Sequence, residues 1–375
     1  MHLLVGNPTA QSGKNAERID AARMLLERHG VRHDFLSTRA GGKTVGDVSK
    51  ALSGGAYAGV IAMGGDGTFA EVGRGLLSSG VRVPMGVLPT GTANDQGRSF
   101  GMYAPARYLE DNVRTIAAGH TVPLDAGRVT AYDFLDVELA SDWFFDSLGW
   151  GISPKILRMR NEDRRLVAGI PIVRELYRDQ LVYAGAVLRA LLQSYVEVTK
   201  FEVEVTTPAG TTFLDGLTDL VLKNTRVYAG SWVLDPTSSP EDGEMELVPF
   251  RGRDEWIGRA VVTLEGLPVQ QLDPGLPPLT PIIRAPWFRL KVMDRPGGVV
   301  EAQIDGEEWV AAASWSIQVV RHAIDLVVPR SHGHGAQAHE TPDAGTGTSG
   351  QGTPGQGASG QGASGQGTSG QGPSA

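Results

Sequence analysis

The sequence predicts an α/β N-terminal domain on a doubly wound parallel sheet, followed by a mostly antiparallel β domain and a disordered C-terminal tail. Three observations carry this reading. Short apolar runs alternate with helical patterns over residues 1 to about 122. After Pro123, short segments alternate apolar and polar residues between turn residues, as half-buried antiparallel strands do. From Ser331 the chain becomes a near-pentameric SGQG(A/T/P) repeat with no aliphatic side chain larger than Ala, so nothing there offsets the entropy of ordering.

Within the first part, HLLVGN reads as a buried strand. AERIDAARMLLERHG carries Ile19, Ala22, Leu25 and Leu26 on one helical face and closes at Gly30. VRHDFLST, AGVIAM and MGVLP are further strands, with helices predicted over TVGDVSKAL and FAEVGRGLLS. In the second part the strand candidates are DFLDVELA, WFFDSLG, KFEVEVTT, TTFLDGLTDLVLKN, EMELVPF, WFRLKVM and VVEAQIDGE. A long helix is predicted from about Ile170 to Tyr195, with Leu181, Ala184, Leu188, Leu191 and Leu192 on one face. Just before it, Lys155, Arg158, Arg160, Arg164 and Arg165 form the concentrated basic stretch of the chain. The domains are therefore set at 1–122 and 123–330, the last strands returning to the first domain, with the tail over 331–375.

Composition narrows the function classes. At 375 residues the chain has room for two domains of about 150 residues each. With 34 Lys and Arg against 42 Asp and Glu, the net charge of −8 gives no broad footprint for nucleic acid. The absence of Cys excludes disulfides, thiolate metal sites and cysteine nucleophiles. The N-terminus lacks the basic and apolar regions of a signal peptide, and Leu181 to Leu188 is too short to span a bilayer, so a soluble cytoplasmic protein is expected.

Glycine, at 50 residues, is in excess, and 14 of these lie in the tail. Those of Gly64-Gly65-Asp66-Gly67-Thr68 sit between a strand and a helix, where backbone N–H groups can approach a phosphate and the helix N-terminus adds positive charge. Asp66 inside that turn would repel a pyrophosphate, which weakens a dinucleotide-fingerprint reading. Its carboxylate suits a Mg²⁺ bridging to phosphates, or acceptance of a proton from an attacking hydroxyl. Pro89-Thr90-Gly91-Thr92-Ala93-Asn94-Asp95 follows the next strand, and Asn7-Pro8-Thr9-Ala10-Gln11-Ser12-Gly13-Lys14 follows the first. The latter departs from a P-loop in its glycine spacing and in Asn15 after Lys14. All three loops belong at the carboxyl edge of one parallel sheet, where such folds bind ligands. The fourth piece, Ile304-Asp305-Gly306-Glu307-Glu308, reads alone as a hairpin turn.

Together these pieces resemble the diacylglycerol kinase catalytic-domain superfamily, which includes bacterial soluble lipid kinases, sphingosine kinases and ceramide kinases. NPTAQSG, GGDGTFAEV, PTGTANDQGRSFG, Pro240-Glu241-Asp242-Gly243 and Gln303-Ile304-Asp305-Gly306-Glu307 resemble its motifs in order, across residues 3 to 328. The first loop is altered in spacing, Ala70 stands where Asn is common, and Gln96-Gly97 replaces a bulkier pair. None of these changes removes a charge.

The resemblance implies an ATP- and Mg²⁺-dependent lipid kinase. Asn7 would face the nucleotide, with Gly64, Gly65, Gly67 and Thr68 on its phosphates. Glu71, Thr92, Asn94 and Asp95 complete the nucleotide-binding set, and Arg164 or Arg165 would meet phosphate. Asp66 would lie near the metal, Glu307 near it as well, and Glu241 and Asp242 at a structural Mg²⁺. Asp305 and Asp66 are rival general bases. The segment Trp143 to Trp150 and the Leu-rich helix would line an apolar cleft for the lipid. Residues 155–165 would rest on anionic headgroups at the inner face of the membrane. A homodimer is compatible with the sequence. The alternatives are an NAD kinase-like enzyme and a catalytically idle nucleotide- or lipid-binding protein.

Overall fold

Strand His2–Gly6 (β1), helix Lys14–Arg28 (α1), strand His33–Ser37 (β2), helix Lys43–Ser53 (α2), strand Gly59–Gly64 (β3), helix Asp66–Ser79 (α3) and strand Met85–Pro89 (β4) open the chain. Helices Asp95–Ser99 (α4) and Leu109–Ala118 (α5) follow. In this computed structural model the described residues are 1–155, 157, 200–230, 232–259, 261–264, 267–268, 279–293 and 298–332.

The first four strands lie side by side in the order β2-β1-β3-β4, all parallel. The inner strands β1, β3 and β4 are apolar on both faces because helices cover both. Leu3, Val5, Val60, Ala62, Met85 and Val87 pack with α2 and α3. The alternate residues Leu4, Ile61, Met63 and Leu88 pack with α1 and α5. The order of winding reverses between β1 and β3, so their carboxyl ends flank the crevice where open α/β sheets hold ligands.

The rest is β-rich. Strands Thr121–Tyr132 (β5), Glu138–Phe144 (β6), Ser147–Gly151 (β7), Phe201–Thr207 (β8), Gly210–Leu217 (β9) and Asp219–Lys223 (β10) come first. The short pair Val227–Tyr228 (β11) and Trp232–Val233 (β12), then Met245–Phe250 (β13) and helix Arg253–Arg259 (α6), follow. Val261–Leu264 (β14), Leu267–Pro268 (β15), Ile283–Ala285 (β16), Trp287–Met293 (β17), Val300–Ile304 (β18), Glu307–Ala312 (β19) and Ser314–Val327 (β20) complete the set.

The parallel sheet does not stop at β4. Leu326 of β20 pairs in parallel with Met85, and the sheet continues through β17 and β8 to β9, with β5 and β6 branching from β20. The composition boundary at 122/123 thus falls inside β5, which pairs with β20 along most of its length. A bulge between Val320 and Ile324 puts His322 in the left-handed region, and Asp125 Oδ1 accepts the His322 amide across it at 2.7 Å. The antiparallel half of this sheet faces a second sheet, β16-β13-β10-β7-β18-β19. Their shared core includes Phe144, Trp150, Leu222, Leu247, Phe288 and Trp315. Trp150 meets Trp315 nearly edge-on at 5.3 Å. The described residues all fall in one compact unit, Met1–Gly333.

Three expectations change. DFLDVELA is not one strand: residues 133–136 turn the β5–β6 hairpin, with Asp133 Oδ1 accepting the Leu135 and Val137 amides at 2.8 and 2.9 Å. TTFLDGLTDLVLKN divides at Thr218 into β9 and β10, which belong to different sheets. The run Trp143 to Trp150 is largely core: Phe144 and Trp150 are in the sandwich core, and Phe145 packs edge-on against Phe69 at 5.8 Å. Large aromatics gain most where two layers can enclose them, and here two layers do. The helix predicted over 170–195, Arg158, Arg160, Arg164, Arg165 and the tail beyond His332 lie outside the described residues. Among the described residues no helix is long and apolar enough to cross a membrane.

Candidate active site

Two glycine loops at the ends of β3 and β4 touch backbone to backbone. A Cβ on Gly91 would lie 2.5 Å from the Gly65 Cα, and one on Gly64 would run into the Thr68 side chain. The Thr90 amide donates to the Gly64 carbonyl at 2.8 Å, extending the β3–β4 ladder into the loops. These glycines therefore serve close packing of the two loops as well as access to a ligand. Gly67 differs: it is exposed, and a Cβ there would meet only Glu307 Oε1, at 3.9 Å. Helix α3 begins at Asp66, so the positive end of its dipole opens at this turn.

Asn94 closes the second loop on itself. It sits in the left-handed region at φ 54°, its Oδ1 accepts the Gly91 amide, and its Nδ2 donates to the Gly91 carbonyl, both at 2.8 Å. Asn94 thereby shapes the loop with both ends of its amide engaged. Asp95 is buried and accepts the Gly230 amide, whereas Thr92 is exposed at the tip. Asp66 accepts the Gln96 amide at 3.2 Å, tying one glycine loop to the helix that leaves the other. After β1, Asn7 Oδ1 accepts the Thr9 amide and hydroxyl at 3.0 and 2.8 Å, a self-contained turn at the same sheet edge.

From the second sheet comes a two-residue hairpin. Asp305 and Gly306, at φ 48° and 77°, join β18 to β19, a turn in which both central residues need positive φ. The hairpin reading and a functional reading of this dipeptide are therefore compatible. Asp305 is 6% exposed. Its Oδ1 accepts the amides of Phe145, Asp146 and Ser147 at 3.1, 2.7 and 3.2 Å, while Oδ2 faces the Phe145 amide at 3.1 Å and Arg74 Nη2 at 3.9 Å. Arg74 reaches across from α3 and also donates to the Trp143 carbonyl at 3.0 Å. Two residues beyond Asp305, Glu307 stands over Gly67.

Acidic side chains thus crowd one place, and their proton affinities rise. Burial, then the charge of Asp146, pushes Asp66 up to about 6 against the pull of nearby amides. Burial raises Asp305 to about 7, with Arg74 opposing and Asp146 assisting. Asp95 rises well above the ordinary range through burial and the charges of Asp66 and Asp146, with Lys223 opposing. Glu71 rises mainly by burial, against the Thr44 hydroxyl and Arg74. A group of carboxylates held partly protonated near neutrality is suited to proton transfer.

The structure brings Gly64, Gly65, Asp66, Gly67, Glu71, Asn94, Asp95, Asp305 and Glu307 into this neighbourhood. It leaves Glu241 and Asp242 in a different one: Glu241 Oε1 faces His332 Nε2 at 3.5 Å, and Asp242 Oδ1 accepts the Glu244 amide at 2.9 Å. Their loop docks on β5, where Asp125 accepts the Gly243 amide at 2.6 Å. Among the described residues no three His, Asp or Glu side chains converge to hold a metal by themselves. Arg164 lies outside the described residues.

Four residues escaped the sequence reading: Arg74, Asp146, Lys223 and Asn224. Lys223 and Asp146 form a buried ion pair at 2.7 Å. Asn224 donates to the carbonyls of Asp125 and Phe145, both at 2.8 Å. A charged residue ending a buried strand, as in LVLKN and WFFDS, was the available signal. It was masked because both segments also read as plain alternating strands.

Residues 1–129 match the diacylglycerol kinase catalytic domain. The chain is 29% identical over 134 residues to a diacylglycerol kinase of Staphylococcus carnosus, covering 36% of this chain and 42% of that protein. It is 26% identical over 211 residues to a diacylglycerol kinase of Bacillus subtilis, covering 55% and 60%. A Klebsiella pneumoniae protein described as a probable lipid kinase matches at 34% over 117 residues, covering 31% and 38%. The chain spans about two fifths of the length of the first curated relatives it matches. In fold it resembles a crystal structure of a diacylglycerol kinase from Bacillus anthracis str. Sterne, with a TM-score of 0.61 and 15% identity, covering 88% of this chain and 97% of that one.

Proposed function

With residues 1–129 a diacylglycerol kinase-like catalytic domain, we propose that this chain is an ATP- and Mg²⁺-dependent lipid kinase that transfers the γ-phosphate to a lipid hydroxyl. One observation carries the reading: the Asp305–Gly306 turn, more than 200 residues from the glycine loop in sequence, sets a buried carboxylate beside Arg74 of α3 and Glu307 over Gly67.

Each residue then has a role. The amides of the 64–68 loop and the N-terminus of α3 face the triphosphate and meet charge that develops on the transferred group. Asp305 Oδ2 is the base. Oδ1 takes three amides, whereas Oδ2 only shares the Phe145 amide and so is the less engaged oxygen, and an affinity near neutrality suits reversible proton uptake. As Oδ2 takes the hydroxyl proton, the lipid oxygen bonds to the γ-phosphorus, the bond to the bridging oxygen breaks, and ADP leaves.

The donor set fits Mg²⁺. Asp66 and Glu307 would offer it carboxylate oxygens, and phosphate and water oxygens would have to supply the remaining ligands because, among the described residues, no three side chains converge to hold a metal. When bound, the ion neutralises phosphate charge.

The test supplies γ-labelled ATP and, in parallel, diacylglycerol, sphingosine, ceramide, phosphatidylglycerol and NAD. Label in a lipid supports the proposal. Label in NAD alone, or in none, removes it.

A further inference from the structure

We propose that Lys223 is a positioning residue for Asp305, acting through Asp146, and that it couples this base to the nucleotide loops; the inference rests on the kinase reading above.

Lys223 ends strand β10 with its side chain about 2% exposed. Its Nζ donates to Asp146 Oδ1 at 2.7 Å and to the Val227 carbonyl at 2.8 Å, and lies 5.2 Å from the centre of the Tyr228 ring. The first bond leads to the base. Asp146 is the middle residue of the 145–147 turn whose amides hold Asp305 Oδ1, and its own amide makes the shortest of those bonds. The second bond leads to the nucleotide side. The Val227 amide donates to the Ser99 hydroxyl of α4 at 3.0 Å, and the Gly230 amide donates to Asp95 at the start of that helix.

Both oxygens of Asp146 are engaged inside the fold. Its Oδ1 takes Lys223 and the Thr225 hydroxyl, and its Oδ2 takes the Ser147 hydroxyl at 2.9 Å. A carboxylate so fully engaged works as a fastener. Nor does stability account for the pair, because a buried ion pair replaced by apolar or neutral groups of similar size is often no less stable. What a charged pair adds is direction: it holds the 145–147 turn in one orientation, so that three amides converge on Oδ1 while Oδ2 keeps only a share of the Phe145 amide and the Arg74 guanidinium.

The test uses full-length chain and whichever of diacylglycerol, sphingosine, ceramide or phosphatidylglycerol the native protein phosphorylates. Three proteins are compared: native, Lys223→Met, and the double variant Asp146→Asn with Lys223→Met. The double variant buries no orphan charge, so it should melt within about 5 °C of native. If Lys223 positions the base, its turnover still falls about tenfold or more while KM for ATP stays within about threefold. Native turnover in the double variant overturns the proposal, since the pair then serves only folding. So does a folded Lys223→Met with turnover within about threefold of native, or a loss that lies wholly in KM. A native chain that labels no lipid instead removes the kinase reading, and this inference with it.

Discussion

The Asp146 amide donates a 2.7 Å hydrogen bond to Asp305 Oδ1, joining residues 159 positions apart in the chain. With the Phe145 and Ser147 amides it fixes one carboxylate oxygen and leaves the other beside Arg74.

Replacing Asp305 by Asn keeps an acceptor at Oδ1 and removes the base at Oδ2. Turnover should fall by a factor on the order of 10² to 10⁴, with a melting midpoint close to native. Steady-state rates together with a thermal melt check this; near-native turnover would take Asp305 out of the mechanism. Asp66→Asn should also slow the reaction, but with the requirement for Mg²⁺ shifted to higher concentration.

The rate should depend on pH through Asp305. A base must be deprotonated to act, so kcat/KM should fall as pH drops through about 7, the affinity that burial gives this carboxyl. Arg74 holds that affinity down, and replacing it by Gln removes a nearby positive charge. The acidic limb should then move to higher pH. A limb that stays in place or moves to lower pH would contradict the assignment.

Gly91→Ala and Gly67→Ala should differ sharply. A methyl at 91 meets the Gly65 backbone, which cannot rotate away, so the loops must part; the expected cost is about 1–3 kcal/mol of stability and a weaker nucleotide complex. A methyl at 67 has open space and should leave the fold intact. Denaturant unfolding and titration with an ATP analogue read both effects.

Stability should decline as pH rises from about 4 to 8. Burial raises Asp219 to about 7, against the hydrogen bonds from Ser153, and likewise raises Glu246 to about 7. Because the folded-state affinities lie above the unfolded ones, the folded protein holds these protons more tightly. Their stabilisation is complete below the unfolded values near 4 and is lost as pH climbs through about 7. Asp219→Asn, which mimics the protonated form, should flatten the slope of melting temperature against pH. An unchanged slope would show that Asp219 does not titrate as described.

Much of the first part was legible because its signals are local. The runs HLLVGN, AGVIAM and MGVLP are apolar throughout since helices cover both faces, and glycines clustered after two of them mark where loops and ligands crowd. The sandwich strands announced themselves by alternation. Less legible were β5 and β20, whose mutual ladder crosses the change in composition and merges the two parts into one sheet. The aromatic run from Trp143 to Trp150 suggested a cleft, yet most of it is core, since periodicity reports that a side chain avoids water without saying which layer covers it.

By itself, then, the sequence determined the order of strands and helices, the phosphate-suited glycine turns, and a set of acidic residues with chemical capability. Only the tertiary structure decided which of those acids meet. It chose Asp305 over Asp242 as a neighbour of the glycine loops, enlisted Arg74 from α3, and paired Lys223 with Asp146. Backbone propensity and apolar spacing act over a few residues. A carboxylate's proton affinity and free lone pair depend on amides and charges brought close from distant parts of the chain.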